Sequence, residues 1–418
     1  MMFGSGILRR CPVKDQVPDF PCPGHYKHSE FTYNLGKTQP CGRAKHLCAL
    51  GVFTNTLYSP SNYKNNDFRS ETSNEPNVTS SYAQERLKKI LLKVATQNVD
   101  KILYLGNIIQ ADKFAKSEDI DSSLSLIASI FADSFVQVLP CIGDQETSIR
   151  EHYMRSALAK VFREYGLVKQ LYRCCGAAYY STRIGPEGVL VVLDGYELLV
   201  PEFDQVSKST NTSLKVELPE VTKMGNKCIR CEANLGNTPQ VGWYRELQLE
   251  EYSIHPENLK RLPPIRSAIS EQQLQWLSRQ LQEATRSTDN VIVACHAPLH
   301  PLLVRDRAAL PINWKQVLRL LLQFTCVRCV LQGRPMVEAA QPPDPDKPYQ
   351  FDHNVLYYSL PSVWGSTETD SSILPYMIVE IGYDFLRIKG ERLPMPAESE
   401  AQSQWTILFE PRRKLSAY

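Results

Sequence analysis

Between Ser270 and His300 the chain reads SEQQLQWLSRQLQEATRSTDNVIVACHAPLH, and this stretch restricts the fold more than any other. Ser270 followed by Gln273 predicts a capping box, in which two side chains satisfy each other's backbone N–H groups at a helix start. Leu274, Leu277, Leu281 and Ala284 then recur at helical spacing, with Trp276 beside them. Asp289-Asn290 breaks the pattern, and Val291 to Cys295 is a short apolar run of the kind buried on both faces of a sheet. Such a strand delivers His296 and Pro298 at its carboxyl end, where open α/β sheets carry their chemistry. The blander alternative is that His296 merely caps a strand.

Composition narrows the classes that remain. With 418 residues, 43% of them apolar and 22% charged, the chain can bury a large core. A net charge of +2 gives no global field to attract nucleic acid or an anionic membrane surface. No apolar run approaches the roughly 18 residues of a membrane span. The opening MMFGSGILRR has too short an apolar core for a secretory signal, while its two arginines keep a mitochondrial address open. The twelve cysteines are scattered and sit mostly in apolar runs, as reduced thiols of an intracellular protein do. An intracellular, cytoplasmic protein is expected, with mitochondrial or cytoskeletal placement as alternatives. The sequons at Asn77 and Asn211 are read as accidental in that setting.

The first stretch, residues 1–45, has no periodicity and is expected to be an irregular arm. Its Cys11, Cys22 and Cys41, with His25, His28 and the neighbouring His46, lack the close spacing of a zinc finger. A core strand is expected over His46–Thr54, then a polar loop over Ser59–Ser80. Next come an amphipathic helix over Tyr82–Gln97, a strand over Lys101–Leu105, a helix over Asp121–Asp133 and a strand over Phe135–Cys141. This alternation predicts a layered α/β sheet. Tyr179–Thr182 and Val189–Leu193 read as a hairpin. Residues 201–268 are polar and poorly periodic, an expected insertion with one helix near Tyr244–Tyr252. After the opening unit come a helix over Asn313–Phe324 and a strand over Cys326–Leu331, then a Pro- and Asp-rich loop, Gln341–Pro348. Short strands over Val355–Ser359, Tyr376–Ile381 and Phe385–Lys389 complete a domain of residues 46–395. Residues 396–418 are expected to be a loose tail.

QQLQWL, an apolar strand and then H-A-P-L-H-P resemble the calcineurin-like metallophosphoesterases, and within them most closely the manganese-dependent ADP-ribose/CDP-alcohol diphosphatases. The resemblance runs over roughly residues 48–395. It includes the Tyr179-Tyr180 hairpin, the VVLDGYEL segment and NWKQVLRLL before Cys326. It implies a four-layer α/β/β/α sandwich and two metal ions held by five strand-end loops. In the family these read D-x-H or D-x-Q, G-D-x-x-D, G-N-H-E, a lone His and G-H-x-H. All five loops are present here in order, and almost none keeps its ligands. The first has Asn55 and Leu57, and the second Asn107 and Gln110. The third is Gly143-Asp144-Gln145-Glu146, so Asp144 stands for the Asn and Gln145 for the His. The fourth keeps His296. The fifth, Gly333-Arg334-Pro335-Met336, has lost both histidines.

Two dications need carboxylates and imidazoles, and a shared carboxylate bridges them. Asn107 is neutral, Leu57 and Met336 offer no donor for a hard cation, and Arg334 places positive charge where cations would sit. The resemblance therefore implies a vestigial site (Asn55, Leu57, Asn107, Gln110, Asp144, Gln145, His296, Arg334, Met336), with no catalytic residue, cofactor or metal. The expectation is a catalytically inactive protein, not an enzyme, serving as a scaffolding subunit among other protein subunits of an assembly. Two alternatives are kept. One is a metal-independent module for a nucleotide or other phosphate-bearing ligand, with Arg334 replacing the cations' charge. The other is a divergent phosphodiesterase or nucleotide diphosphatase using His296 and Asp144.

Remaining candidates weigh toward packing. Cys326 and Cys329 have ligand spacing, but on a strand they face opposite sides and cannot share an ion. Cys228 and Cys231 lack two further ligands at the usual spacing. Cys174, Cys175 and Cys295 read as small buried hydrophobes. His300 and Glu146 either line a pocket with His296 or are solvated loop residues.

Overall fold

The computed structural model describes residues 48–57, 80–109, 117–148, 157–158, 161, 178–186, 188–201, 265–333, 340–363, 374–396 and 404–409. The chain divides into two units, Met1–Asn34 and Leu35–Tyr418, and all described residues lie in the second. The arm, the loop before Ser80, most of the insertion with its expected helix, and Cys174, Cys175, Cys228 and Cys231 fall outside them.

Two six-stranded mixed sheets form the body of this unit. The first is ordered β14-β13-β12-β1-β2-β3. Here β1 is Cys48–Phe53, β2 Lys101–Leu105, β3 Val138–Cys141, β12 Tyr376–Ile381, β13 Phe385–Glu391 and β14 Gln404–Leu408. The second is ordered β10-β11-β9-β8-β5-β4. Its strands are β4 (Tyr180–Arg183), β5 (Gly188–Leu193), β8 (Asn290–Cys295), β9 (Val327–Gln332), β10 (Tyr349–Asp352) and β11 (Val355–Ser359). Within the first sheet β1, β2 and β3 are parallel. In the second, β5, β8, β9 and β11 are parallel, between antiparallel edges β4 and β10.

The layering follows from which faces are apolar. Strands such as β1 (CALGVF) and β8 (NVIVAC) are buried at every position, as continuous apolar runs must be when both faces are covered. One core joins the inner faces of the two sheets and continues to the helices on the first. There Leu190, Ile292, Leu331 and Tyr358 meet Leu50, Ile378 and Ile388. Helix α1 (Ser80–Ala95) adds Leu87, Ile90, Leu91 and Val94, and α2 (Ser117–Ala132) adds Leu124, Ile127 and Phe131. Gly51 lets α1 approach β1, because a Cβ there would collide with Val94.

A second core lies between the other sheet and two further helices, α4 (Glu271–Ser287) and α5 (Trp314–Leu322), a short α3 being described below. Leu274, Leu277, Leu281 and Ala284 of α4 are all buried. Each leucine taken out of water in this way stabilises by about 2 kcal/mol. Helix, sheet, sheet, helix is the four-layer order expected. Among the described residues no helix is long and apolar enough to cross a membrane.

The capping box is half realised. Ser270 Oγ accepts from the Gln273 N–H at 3.0 Å, but Glu197 Oε2, not Gln273, takes the Ser270 N–H at 3.1 Å. The Gln273 amide instead clamps Asp194, bonding its N–H at 2.9 Å and its carbonyl at 3.1 Å. Cys326 and Cys329 behave as their alternation requires, one in the outer core and the other in the inner.

Several elements were not expected. Gln404–Leu408, in the segment read as loose tail, pairs with β13 as an edge strand, with Trp405 buried. β10 precedes β11 where no strand was anticipated. β6 (Leu198–Pro201) and β7 (Ile265–Ala268) pair into a two-stranded ribbon that brackets the insertion. Phe135, expected at the start of β3, is 94% exposed before the strand begins.

Candidate functional site

The carboxyl ends of β1, β2 and β3 and those of β8 and β9 meet across the inner core, where they gather the residues singled out in the sequence. β1 runs into Thr54-Asn55-Thr56-Leu57, β2 into Gly106-Asn107, and β8 into His296. After β3 the chain enters α3 (Asp144–Ser148), a single turn of helix where a bare loop was expected.

The backbone at these ends is unusual. Asn55, Leu57 and Asn107 have φ values of 56°, 46° and 61°. Asparagine tolerates this left-handed region, whereas leucine is strained by about 1–2 kcal/mol. Two hydrogen bonds fix the conformation, from Asn55 N–H to the Gly106 carbonyl at 3.1 Å and from Leu57 N–H to the Asn107 carbonyl at 3.2 Å. The Tyr104 hydroxyl also donates to the Asn107 carbonyl at 2.7 Å and accepts the Thr56 N–H at 3.0 Å. The Leu57 side chain is 1% exposed and packs as core.

His296 is completely buried. Its Nδ1 lies 2.6 Å from the Leu105 carbonyl, which can only accept, so Nδ1 carries a hydrogen. Its Nε2 lies 3.0 Å from Asp144 Oδ1, within hydrogen-bond distance. The ring approaches the backbone so closely that a Cβ at Gly106 or Gly333 would strike it. Tyr196, its ring centroid 6.1 Å away, closes one side. His296 is thus more than a strand cap, since it joins the tips of the two sheets.

Asp144 is partly exposed, with 17% of its side chain open to solvent. Oδ1 accepts from His296 and from Asn107 Nδ2 at 2.9 Å, while Oδ2 has a weaker bond from Gln145 Nε2 at 3.3 Å. Burial pushes its pKa up, but the bonds and charge of His296, with those of Asn107 and Gln145, outweigh burial and hold it below the usual carboxylate range. Asn107 Oδ1 in turn accepts the Gln145 N–H at 3.0 Å.

Glu146 is 1% exposed rather than solvated. Its carboxylate gathers the N–H groups of Asn107 at 2.9 Å, Gly143 at 2.7 Å, Ile109 at 3.2 Å and Ile108. Burial raises its pKa against the pull of the His296 charge and these donors. It holds the β2 and β3 loops together, a role its sequence context did not reveal. The acid three places after a strand-end glycine was the available signal.

His300 is buried as well but belongs elsewhere. Its Nδ1 accepts the Leu302 N–H at 3.3 Å at the start of a 3-10 turn, Pro301–Leu303. Its Nε2 faces Asp352 Oδ2 at 3.7 Å, and its ring packs on Tyr357. The shared pocket with His296 therefore does not form. Gln110, Arg334 and Met336 lie outside the described residues. Asn55, Leu57, Asn107, Asp144, Gln145 and His296 thus lie at neighbouring strand ends, with Glu146 among them.

No family model matches the chain. It is 31% identical over 158 residues to a manganese-dependent ADP-ribose/CDP-alcohol diphosphatase of Arabidopsis thaliana, covering 38% of this chain and 43% of that one. It is 24% identical over 238 residues to a Homo sapiens protein of the same name, covering 56% of this chain and 61% of that one. The chain thus spans about half the length of the curated relatives it matches. The crystal structure of a dimetal phosphatase from Danio rerio superposes with a TM-score of 0.52 at 18% identity, covering 87% of this chain and 99% of that one. The chain has the metallophosphoesterase fold and is related to the manganese-dependent ADP-ribose/CDP-alcohol diphosphatases. The expectation that it is not an enzyme is corrected by these relatives, which are named as enzymes.

The residues at the strand ends do not fit two manganese ions. Asp144 Oδ1 already accepts two hydrogen bonds, and Asn107 turns its amide N–H toward that carboxylate instead of a lone pair toward a cation. Among the described residues no group of three or more His, Cys, Asp or Glu side chains is placed to hold a metal.

Proposed function

We propose that the chain is a divergent phosphoesterase acting on a nucleotide-diphosphate-type substrate, with Asp144 as its proton acceptor and His296 as the residue that positions it. One observation carries this reading. Asp144 is a carboxylate whose Oδ1 is fixed by His296 Nε2 and Asn107 Nδ2, while Oδ2 has only a longer bond from Gln145 Nε2 at 3.3 Å. The names of the relatives give the substrate class, phosphoanhydrides of ADP-ribose or CDP-alcohol type.

In the proposed reaction a water oxygen attacks phosphorus, its proton passes to Asp144 Oδ2, and the bridging P–O bond breaks with its electron pair leaving on the departing phosphate. A general base works best with a pKa near the working pH, and Asp144 lies well below it. Slow turnover is the consequence. Positioning by His296 supports the step through geometry, since a carboxylate held in one orientation loses less entropy on reaching the transition state.

The test is incubation of the full chain with ADP-ribose and with a CDP-alcohol in 18O-enriched water, with products read by mass spectrometry. One 18O incorporated into a released phosphomonoester is the expected result. No product above the buffer control would overturn the proposal.

A further inference from the structure

We infer that Asn107 has converted the strand-end site from cation coordination to a closed hydrogen-bond network, so that the folded chain takes up no stoichiometric manganese and does not depend on it. The inference stands apart from the proposed hydrolysis, because its readout is metal content and stability.

Asn107 is the residue on which the network turns. Its Nδ2 donates to Asp144 Oδ1 at 2.9 Å and its Oδ1 accepts the Gln145 N–H at 3.0 Å. Its own N–H goes to Glu146 at 2.9 Å and its carbonyl takes the Tyr104 hydroxyl at 2.7 Å. An aspartate in the same place would set a second carboxylate against Asp144, with the buried Glu146 on its other side. Three acids crowded out of water repel unless a cation intervenes. The neutral amide removes one charge and supplies a donor in the direction where the carboxylate needs one. The side chain thereby performs the neutralisation that a dication performs elsewhere.

The surroundings leave little room to reverse this. A Cβ on Gly143 would overlap Asn107 Oδ1, so the β3 loop is pressed against the amide. Leu57, which would have to offer a ligand, is packed as core at 1% exposure. His296 is held on both ring nitrogens, by Leu105 and Asp144, and presents no free lone pair without breaking a bond. Among the described residues, where no three His, Cys, Asp or Glu side chains are placed to hold a metal, a manganese ion would have to dismantle several buried hydrogen bonds for few ligands in return.

The experiment uses full-length protein purified without chelator from manganese-supplemented medium. Metal is quantified by elemental mass spectrometry, and Tm is measured with manganese and with chelator. The inference predicts no stoichiometric manganese and a Tm unmoved by either addition. One or two manganese ions per chain, or a Tm that rises with manganese as linkage requires of a ligand for the native state, would overturn it. Asn107→Asp is the companion variant. Its Tm is expected to fall by roughly 5 °C, a shift worth about 4 kcal/mol in a chain of this size, and to recover in part when manganese is added. An N107D protein as stable as the wild type in chelator would contradict the proposed role of the amide.

Discussion

His296 and Leu105 are joined by a 2.6 Å hydrogen bond from ring Nδ1 to backbone carbonyl, and this bond connects the tip of β8 in one sheet to the tip of β2 in the other. The same ring reaches Asp144 from its far nitrogen. A single buried side chain therefore ties three strand ends across the inner core.

Removing that ring takes one donor from the buried Leu105 carbonyl, which keeps the Thr54 hydroxyl at 2.7 Å, and one from the largely buried Asp144 carboxylate. His296→Ala is expected to destabilise by about 2–4 kcal/mol, because it removes two buried hydrogen bonds and leaves a cavity. His296→Gln, which keeps a donor, should lose less. Urea denaturation of the two variants checks the order.

Glu146 gathers N–H groups from Asn107, Ile108, Ile109 and Gly143. Glu146→Ala strands four donors and is expected to cost about 3 kcal/mol or more, since each unsatisfied buried donor costs about 1–3 kcal/mol before water enters. Glu146→Gln retains an acceptor oxygen and should fall between. Hydrogen exchange at Ile108 and Ile109 would show the loosened loop directly.

Thr288 ends α4 with φ of 62°, in the left-handed region that disfavours a β-branched residue. Thr288→Gly relieves that strain at a helix C-terminus where glycine is preferred. A gain of about 0.5–1 kcal/mol is expected, read as a rise in Tm without change at the strand-end site.

Acid should weaken the fold through two aspartates. Burial works against the ionised form of Asp144, yet bonds from His296, Asn107 and Gln145 hold its pKa low. At Asp352 the His300 ring facing it at 3.7 Å is the largest cause, with His353 adding to it against burial. Each folded-state pKa lies below its unfolded value, so the native state binds fewer protons in that interval. Their contribution is complete above the unfolded carboxylate pKa, near 4, and is lost as pH falls through the folded values. Thermal melts from pH 7 to pH 3 should show a steeper decline for the wild type than for Asp352→Asn.

Much of this was legible from residue patterns, and the failures are instructive. The parallel core strands announced themselves because both faces are buried and their apolar runs are continuous. Two of the four edge strands did not. β10 (YQFD) and β14 (QWTIL) are only partly covered, so their sequences resemble loops. The family's motif spacing brought Asn55, Asn107, Asp144 and His296 to one place. Glu146 as a hub left only a faint signal, an acid three places after a strand-end glycine, because its four partners are backbone groups that carry no sequence signature. His300 was misplaced for a related reason: four residues beyond His296, it follows a chain that has already turned toward Asp352. The expectation of an inactive protein read missing metal ligands as missing chemistry. The named relatives correct that inference, and Asp144, which the motif spacing had already located, offers a carboxylate.

The most direct test of the account compares the rate of ADP-ribose cleavage by the wild type and by Asp144→Asn, both in chelator. The account predicts slow but measurable wild-type turnover that survives the chelator and falls by about 100-fold or more in the variant, the scale of a general base's contribution. Equal rates for the two proteins, or turnover that appears only when manganese is supplied, would contradict it.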